Sequence, residues 1–186
     1  MTSGTRPYHH GDLRRTLIEA AADVIAESGT DALSLRELAR RAGVSHAAPG
    51  HHFGDRTGLL TAVAAQGFEL LADSLEQADD FSGMGLRYVR FALAHPGHFA
   101  VMFRTDTVNA EDEAFQEASG RAYDVLRGGA AEALSPADDR VPALAAWSLV
   151  HGLATLLLSG VMSLDPGQSE DDLARLVTQW LTGRSV

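Results

Sequence analysis

The sequence contains no cysteine, which excludes a disulfide framework, a cysteine-ligated zinc site and a thiol nucleophile. Lysine is also absent, so all fifteen basic residues are arginine. This bias mainly indicates GC-rich coding, although the guanidinium also suits bidentate contacts to phosphate. The first thirty residues carry acids and arginines throughout and lack the apolar core of a signal peptide. The apolar run at 143–158 is interrupted by Ser148, His151 and Thr155, so we expect no membrane span and a cytoplasmic protein.

The net charge of −10 argues at first against nucleic-acid binding. The charge is unevenly distributed, however. Residues 1–60 carry seven arginines and seven acidic residues, while residues 61–186 carry eight arginines and eighteen acidic residues. The N-terminal third is therefore neutral before its five histidines are counted. A neutral, histidine-rich segment joined to an acidic body is compatible with DNA binding of modest, salt-sensitive affinity.

Apolar residues recur at helical spacing almost throughout, and the chain shows no strand-like alternation of useful length. We therefore expect an all-α protein of about nine helices. The predicted helices cover about 12–28, 34–43, 45–53, 55–76, 84–94, a short segment at 99–103, 111–134, 143–164 and 170–182. We expect Gly128 and Gly129 to weaken the long helix that contains them.

The segment 33–53 has the pattern of a helix-turn-helix. Ser34 and Glu37 form an S-x-x-E capping box at the start of one helix, and Gly43 suits the tight turn after it. We expect Ser45 to cap a second helix that has few large apolar residues before Phe53. A helix that buries so little of itself is available to lie in the major groove of DNA.

Residues 12–60 resemble the DNA-binding domain of the tetracycline-repressor family. The resemblance rests on Ala39–Ser45, which reads A-x-x-A-G-V-S, on the pair His52-Phe53 and on Asp55-Arg56. In the C-terminal half, Ala146–Gly152 is similar to the Trp…His-Gly signature of one subclass of regulatory domain in that family. The stretch from His95 to Phe103 is similar to the break and short helix that precede this signature.

The resemblance implies DNA contacts for nine residues. Ser34 and Arg36 would contact phosphates, and His52 and Arg56 would clamp the DNA backbone. The residues that would face the DNA from the recognition helix are Ser45, His46, Ala47, Gly50 and His51. The tail 1–11 could reach the neighbouring groove.

Position 50 departs from the family, whose members usually carry an aromatic residue there, most often tyrosine. This chain has Gly50 directly after Pro49. Glycine inside a helix costs about 1 kcal/mol relative to alanine. Proline about one turn in disfavours helical angles at Ala48. We therefore expect a short recognition helix, loose in isolation, and weakened DNA binding.

Trp147 and His151 lie four residues apart and hence on one helix face. Either they are packing residues or they line an effector cavity, and the sequence leaves both interpretations open. The residues that could complete such a wall are Phe91, Phe99, Met102, Phe103, Tyr123 and Leu126. A wall of this composition suits a small, largely hydrophobic molecule.

Metal binding and catalysis find little support in the sequence. The pairs His9-His10 and His51-His52 do not indicate a metal site, because adjacent helical histidines point about 100° apart. There is no G-x-S-x-G motif, phosphate loop or convincing His–carboxylate pair, so we predict no enzyme, cofactor or metal. The alternative is an all-α small-molecule-binding protein or enzyme with a weakened DNA-binding head.

The sequence thus predicts a homodimeric, ligand-responsive regulator with a DNA-binding domain at 1–60 and an effector-binding and dimerisation domain at 61–186. The last two helices are expected to form the dimer interface. The two DNA-binding domains at 1–60, called heads below, would read a palindromic operator with half-sites about 34 Å apart. Ligand binding between helices five and eight would move helix four and release the DNA. Repression is what the resemblance implies, with activation left open.

Overall fold

The computed structural model describes residues 10–134 and 140–181, and their regular structure is helical throughout. Arg6, Tyr8 and His9 of the predicted tail lie outside the described residues, whereas His10, also assigned to the tail, is the first residue of a helix. Within these ranges there are nine α-helices and a short 3-10 turn at Thr30–Ala32, which confirms the predicted fold class. The helices are α1 His10–Ser28, α2 Leu35–Ala42, α3 Ala48–Phe53, α4 Arg56–Glu76, α5 Phe81–Ala94, α6 Pro96–Met102, α7 Glu113–Leu134, α8 Arg140–Leu158 and α9 Glu170–Leu181.

Local hydrogen bonds and glycine conformation explain where helices depart from their predicted bounds. α5 begins at Phe81 rather than residue 84, because the Asp80 side chain accepts a 2.7 Å hydrogen bond from the Gly83 N–H. α8 ends at Leu158 rather than residue 164, because Gly160 adopts a φ of +67° just beyond it. α7 continues unbroken through Gly128 and Gly129, so their predicted weakening does not interrupt it.

α8 is long and apolar enough, by length and composition alone, to cross a membrane. The predicted shortfall is therefore not found, because the helix begins at Arg140 and reaches 19 residues. One face of α8 packs against α5, α7 and α9, burying Ala146, Val150 and Leu153. The opposite face carries exposed leucines, Leu144 and Leu156. α8 is therefore apolar on two faces: one faces the core, and the other is exposed in the single chain.

α4 lies at the centre of the molecule and packs against α1, α3, α5, α6 and α7. Its first half buries Leu59, Leu60 and Val63 completely, and its second half buries Leu71 and Leu75. One hydrophobic core joins both halves. The predicted domain boundary between residues 60 and 61 therefore falls inside a continuous helix, and that division stays a prediction.

The short helix α6 lies against α1 on one side and α4 on the other. Glycines stand at both contacts, Gly97 on α6 facing α1 and Gly67 on α4 facing α6. A Cβ at Gly67 would lie 2.7 Å from the Met102 Sδ, which is closer than packed side chains allow. These glycines let α6 sit close to both helices, between the N-terminal head and the C-terminal body.

Candidate functional site

The helix-turn-helix is present, with its first helix capped as predicted. The Ser34 side chain accepts a 3.2 Å hydrogen bond from the Glu37 N–H. The Glu37 carboxylate, however, accepts from the Arg40 Nε–H at 2.9 Å, and among the described residues the Ser34 backbone N–H does not donate to that carboxylate, so the reciprocal half of the capping box is not formed. Gly43 takes a φ of +66° and ends α2, as its position in the turn predicts.

The recognition helix α3 begins later than predicted, at Ala48 rather than just after Ser45. Ser45 does not cap the helix. It lies in a turn before α3, closed by the Ala48 N–H donating to the Ser45 carbonyl at 3.0 Å, and the N-cap is Ala47, which has no side-chain bond. Pro49 therefore stands in the first turn, where its missing N–H leaves no bond unmade. Pro49 is also fully buried, so this proline anchors α3 rather than distorting it.

Most of the predicted DNA-contacting residues face outward. The exposed ones are Ser34, Arg36, Ser45, His46, Ala47 and His51. The half-buried ones are Gly50, His52 and Arg56. No atom lies within 4 Å of the place where a Cβ of Gly50 would stand, so this position is open on the protein side. The DNA contacts themselves stay predictions.

The arginines of the head differ in how they are engaged. Arg36 is exposed and has no hydrogen bond or ion pair among the described residues. Arg56, by contrast, donates from Nη2 to the Thr30 carbonyl at 2.6 Å and from Nε to the Leu33 carbonyl at 3.2 Å. Arg56 thus ties the start of α4 to the segment between α1 and α2, a structural role that sequence reasoning missed. Its predicted phosphate contact would have to share this guanidinium.

An apolar cavity of about 200 Å³ lies between α4, α5, α7 and α8. Four of the predicted ligand-binding residues line it, namely Phe103, Tyr123, Leu126 and Trp147. The lining residues that sequence reasoning missed are Phe68, Leu71, Leu75, Tyr88, Ser119 and Ala122. Three of these follow one another along α4 at helical spacing, and that spacing could have identified them. No acidic residue, arginine or histidine is among the ten.

The other four predicted ligand-binding residues do not line this cavity. Phe91 and Met102 are core residues, with Phe91 packed on the His95 ring at a centroid distance of 5.2 Å. Phe99 and His151 stack on each other at 5.1 Å, and His151 meets the Phe103 ring edge-on at 4.7 Å. These rings form a second layer behind the cavity wall, so their ligand-binding role stays a prediction.

Tyr88 links the cavity wall to this second layer by hydrogen bonds. The Trp147 Nε1–H donates to the Tyr88 hydroxyl oxygen at 3.1 Å, and that oxygen lies 2.9 Å from the His151 Nδ1. Since indole can only donate, the Tyr88 O–H proton is free to be donated to His151, with the histidine proton then on Nε2. Burial raises the pKa of Tyr88 and lowers the pKa of His151, so both favour their neutral forms.

Trp147 and His151 thus take different positions around Tyr88, and the ligand-binding role of each stays a prediction. Trp147 forms part of the cavity wall, while His151 holds Tyr88 from behind. Sequence reasoning paired them correctly on one face of α8 but could not see Tyr88 between them. Among the described residues no three histidine or acidic side chains are grouped as metal ligands.

Two family profiles match the chain. The profile described as "Bacterial regulatory proteins, tetR family" matches residues 17–63, and the one described as "Tetracyclin repressor-like, C-terminal domain" matches residues 81–180. The second match includes Trp147 and His151 but does not confirm the finer assignment to the Trp-His-Gly subclass.

The chain is also similar to individual proteins. The HTH-type transcriptional regulator BetI of Rhizobium meliloti (strain 1021) is 47% identical over 50 residues, which are 27% of this chain and 25% of BetI. The match thus spans only about a quarter of that relative. A protein with unknown function from Rhodococcus sp. RHA1 is 35% identical, with 96% of this chain and 98% of that chain covered and a TM-score of 0.79.

AibR, solved in complex with isovaleryl coenzyme A and operator DNA, shares the fold at a TM-score of 0.66. It is 16% identical, and the alignment covers 91% of this chain and 97% of AibR.

Proposed function

Because the chain belongs to the tetracyclin repressor-like family of bacterial regulatory proteins, we propose that it represses transcription from a palindromic operator. A small, largely hydrophobic effector releases it from the DNA, and it acts in the cytoplasm. The observation that carries this proposal is that a single helix, α4, connects the two sites. Its start packs against the exposed α3, and its second half forms one wall of the apolar cavity. AibR, solved with a coenzyme A ester and operator DNA, supports the combination of effector binding and DNA binding on one fold.

A homodimer through α8 and α9 supplies the two copies of α3 that a palindrome requires. The large apolar side chains exposed among the described residues all lie on or between these helices: Val141, Leu144, Leu156, Leu158, Val161, Leu176 and Trp180. Trp180 is 78% exposed, although the sequence places it on the apolar stripe of α9. A concentration of apolar surface of this kind typically marks an interface. No atom lies within 4 Å of a Cβ at Gly152, which leaves room for a second α8 to approach.

The effector acts on the DNA-binding heads through α4. A ligand in the cavity touches Phe68, Leu71 and Leu75 directly, and these residues belong to the helix that packs on α3. A small rotation of α4 changes the separation of the two recognition helices, which no longer match half-sites about 34 Å apart. The size of this population shift is bounded by the difference in ligand affinity between the DNA-bound and released states.

Selection from a random double-stranded DNA pool tests the operator part of the proposal. The expected product is a palindrome with half-sites one helical turn apart, bound by the dimer. Trp180→Asp should shift the protein to a monomer in sedimentation velocity and abolish binding to that palindrome. Ala114→Asp, which adds the same charge on an exposed part of α7, is the control and should leave both unchanged. Recovery of no preferred sequence, or a dimeric and fully active Trp180→Asp, would count against the proposal.

Position 50 carries glycine instead of the aromatic residue usual in the family. This difference favours a second candidate function, that of a ligand-binding protein or enzyme with a weakened DNA-binding head. Trp147 fluorescence, measured in a dimeric Trp180→Phe background, reports ligand binding without DNA. If a ligand binds and releases the selected operator without being converted, the protein is a regulator. Chemical turnover of the ligand, with no sequence-specific DNA binding, would establish the second candidate instead.

A further inference from the structure

Apart from the Tyr123 hydroxyl, the polar side-chain groups of the cavity wall are already hydrogen-bonded within the protein. Trp147 donates to Tyr88, Tyr88 meets His151, and the Ser119 hydroxyl donates to the Gln116 carbonyl at 3.2 Å. No buried side-chain nitrogen or oxygen of the described residues lacks a partner. Tyr123 is half-buried and has no hydrogen bond among the described residues, so its hydroxyl must reach open space. A ligand inside the cavity therefore meets carbon surface, with Tyr123 at the open side.

A charged group would be poorly accommodated in this cavity. None of the lining residues carries a charge, and transfer of an isolated carboxylate or ammonium from water to apolar surroundings costs many kcal/mol. Burial of apolar ligand surface is favourable instead, and each buried methylene strengthens binding about fourfold. The chemistry of the wall thus selects an uncharged, hydrocarbon-like ligand.

The volume of the cavity sets an upper limit on the ligand. An engineered apolar cavity of about 150 Å³ accepts benzene, which corresponds to about 25 Å³ for each carbon atom. On that scale a cavity of about 200 Å³ holds about eight carbon atoms. A chain of twelve or more carbons would have to leave part of its length in water or displace the wall.

Leu126 stands where the cavity could be extended. A second, much smaller apolar cavity of about 10 Å³ adjoins the first and shares the lining residues Tyr88 and Leu126 with it. Tyr88 is held in place by its contacts with Trp147 and His151, whereas Leu126 is held by packing alone. Replacing Leu126 by alanine removes three carbon atoms from this partition.

We propose that the cavity binds one uncharged apolar molecule of up to about eight carbon atoms and that Leu126 sets this length limit. The inference rests on the proposed function only for the role of that molecule as effector. Size and charge selection are properties of the cavity and can be measured without DNA.

The test uses straight-chain primary alcohols of six, eight, ten and twelve carbons as probes of the full-length Trp180→Phe protein. Trp147 fluorescence measures binding. Affinity should rise about fourfold per methylene up to 1-octanol and then level off or fall. Hexanoate should bind at least tenfold more weakly than 1-hexanol, because a six-carbon chain is short enough to draw its head group into the cavity.

Two variants move the limit in opposite directions. In Leu126→Ala the rise should continue to 1-decanol, since the partition is opened by three carbons. In Ala122→Leu, which adds three carbons inside the cavity and leaves no void, affinity should show no rise from 1-hexanol to 1-octanol. If Leu126→Ala does not fold, Ala122→Leu alone tests whether the cavity sets the length limit. Leu70→Ala is the control, because Leu70 on α4 is half-buried but does not line the cavity. It should keep the native length dependence.

Three results would overturn the inference: affinity that keeps rising to 1-dodecanol in the native cavity, hexanoate binding as tightly as 1-hexanol, or an unchanged limit in both variants. These failures are distinct from failure of the proposed function. If the alcohols bind as described but none releases operator DNA, the size and charge limits stand and the effector role falls.

Discussion

A side chain on Gly97 would have no room beside Ala22. A Cβ at position 97 would lie 2.7 Å from the Ala22 carbonyl carbon, 3.1 Å from its Cα and closer still to its oxygen. α6 therefore rests on the backbone of α1, while Phe99, two residues further on, belongs to the ring layer behind the cavity. The seven residues of α6 thus touch both the head and the surroundings of the ligand site.

Gly97→Ala is expected to push α6 away from α1 and to lower the free energy of unfolding by about 2–3 kcal/mol, a typical cost of overpacking against atoms that cannot yield. Urea denaturation measures the loss. Gly128→Ala is the matched control, since Gly128 is exposed on α7 with no atom within 4 Å of its Cβ position. It should stabilise the protein by about 0.5–1 kcal/mol. A Gly97→Ala protein of native stability would show that α1 and α6 are not held this closely.

Gly50→Tyr should tighten operator binding about fivefold, because the open space beside Gly50 lets a tyrosine reach a phosphate without displacing protein atoms. That gain corresponds to about 1 kcal/mol, the usual contribution of one hydrogen bond. Gly50→Ala is the comparison and should improve helix stability while leaving DNA affinity nearly unchanged. Fluorescence anisotropy with a labelled operator measures both. Loss of binding in a well-folded Gly50→Tyr would mean that the groove approach requires glycine.

Arg36 and Arg56 are predicted to behave differently although both are implied to contact phosphate. Arg36→Ala should leave stability unchanged and flatten the slope of log K against log salt by about one unit. Arg56→Ala should lower the free energy of unfolding by about 1–2 kcal/mol, because the Thr30 and Leu33 carbonyls lose their donor. Salt titrations of operator binding and urea denaturation separate the two effects. An unchanged slope for Arg36→Ala, or native stability for Arg56→Ala, would contradict the respective assignment.

His98 should make the protein less stable in mild acid. Its Nε2 lies 2.9 Å from the Gln66 Oε1, and burial, reinforced by the neighbouring His95, lowers the pKa of His98 to about 4. An unfolded histidine has a pKa of about 6.5, so between these values the unfolded chain takes up a proton that the folded protein does not. The contribution of His98 is therefore fully present above pH 6.5 and is lost as the pH falls towards 4.

His98 is expected to lower the free energy of unfolding by about 2 kcal/mol as the pH falls from 7 to 5. Urea denaturation at several pH values measures it as the difference in pH dependence between the native protein and His98→Gln, which keeps a polar partner for Gln66. His46→Gln controls for the loss of an exposed imidazole. Equal pH dependence in the native protein and His98→Gln would contradict the prediction.

The sequence predicts the helices and the helix-turn-helix well because these depend on neighbours a few residues apart. Ser34 caps α2 through Glu37, and Gly43 ends it, within a single short segment. The start of α3 could not be predicted in the same way, since its N-cap, Ala47, has no capping side chain to mark it. The cavity is likewise beyond local pattern, because Tyr88 and His151 meet across 63 residues of sequence.

The continuity of α4 also determines how the molecule melts. Because one helix contributes to the core of the head and to the core of the body, neither part ends at a linker across which unfolding could stop. Heating should therefore give a single calorimetric transition rather than one for each part. A molecule bound in the cavity would raise the temperature midpoint of this transition, and so would also stabilise the distant recognition helix against unfolding. A fragment cut after residue 60 would keep only the first turn of α4, leaving α1 without most of the helix that packs on it.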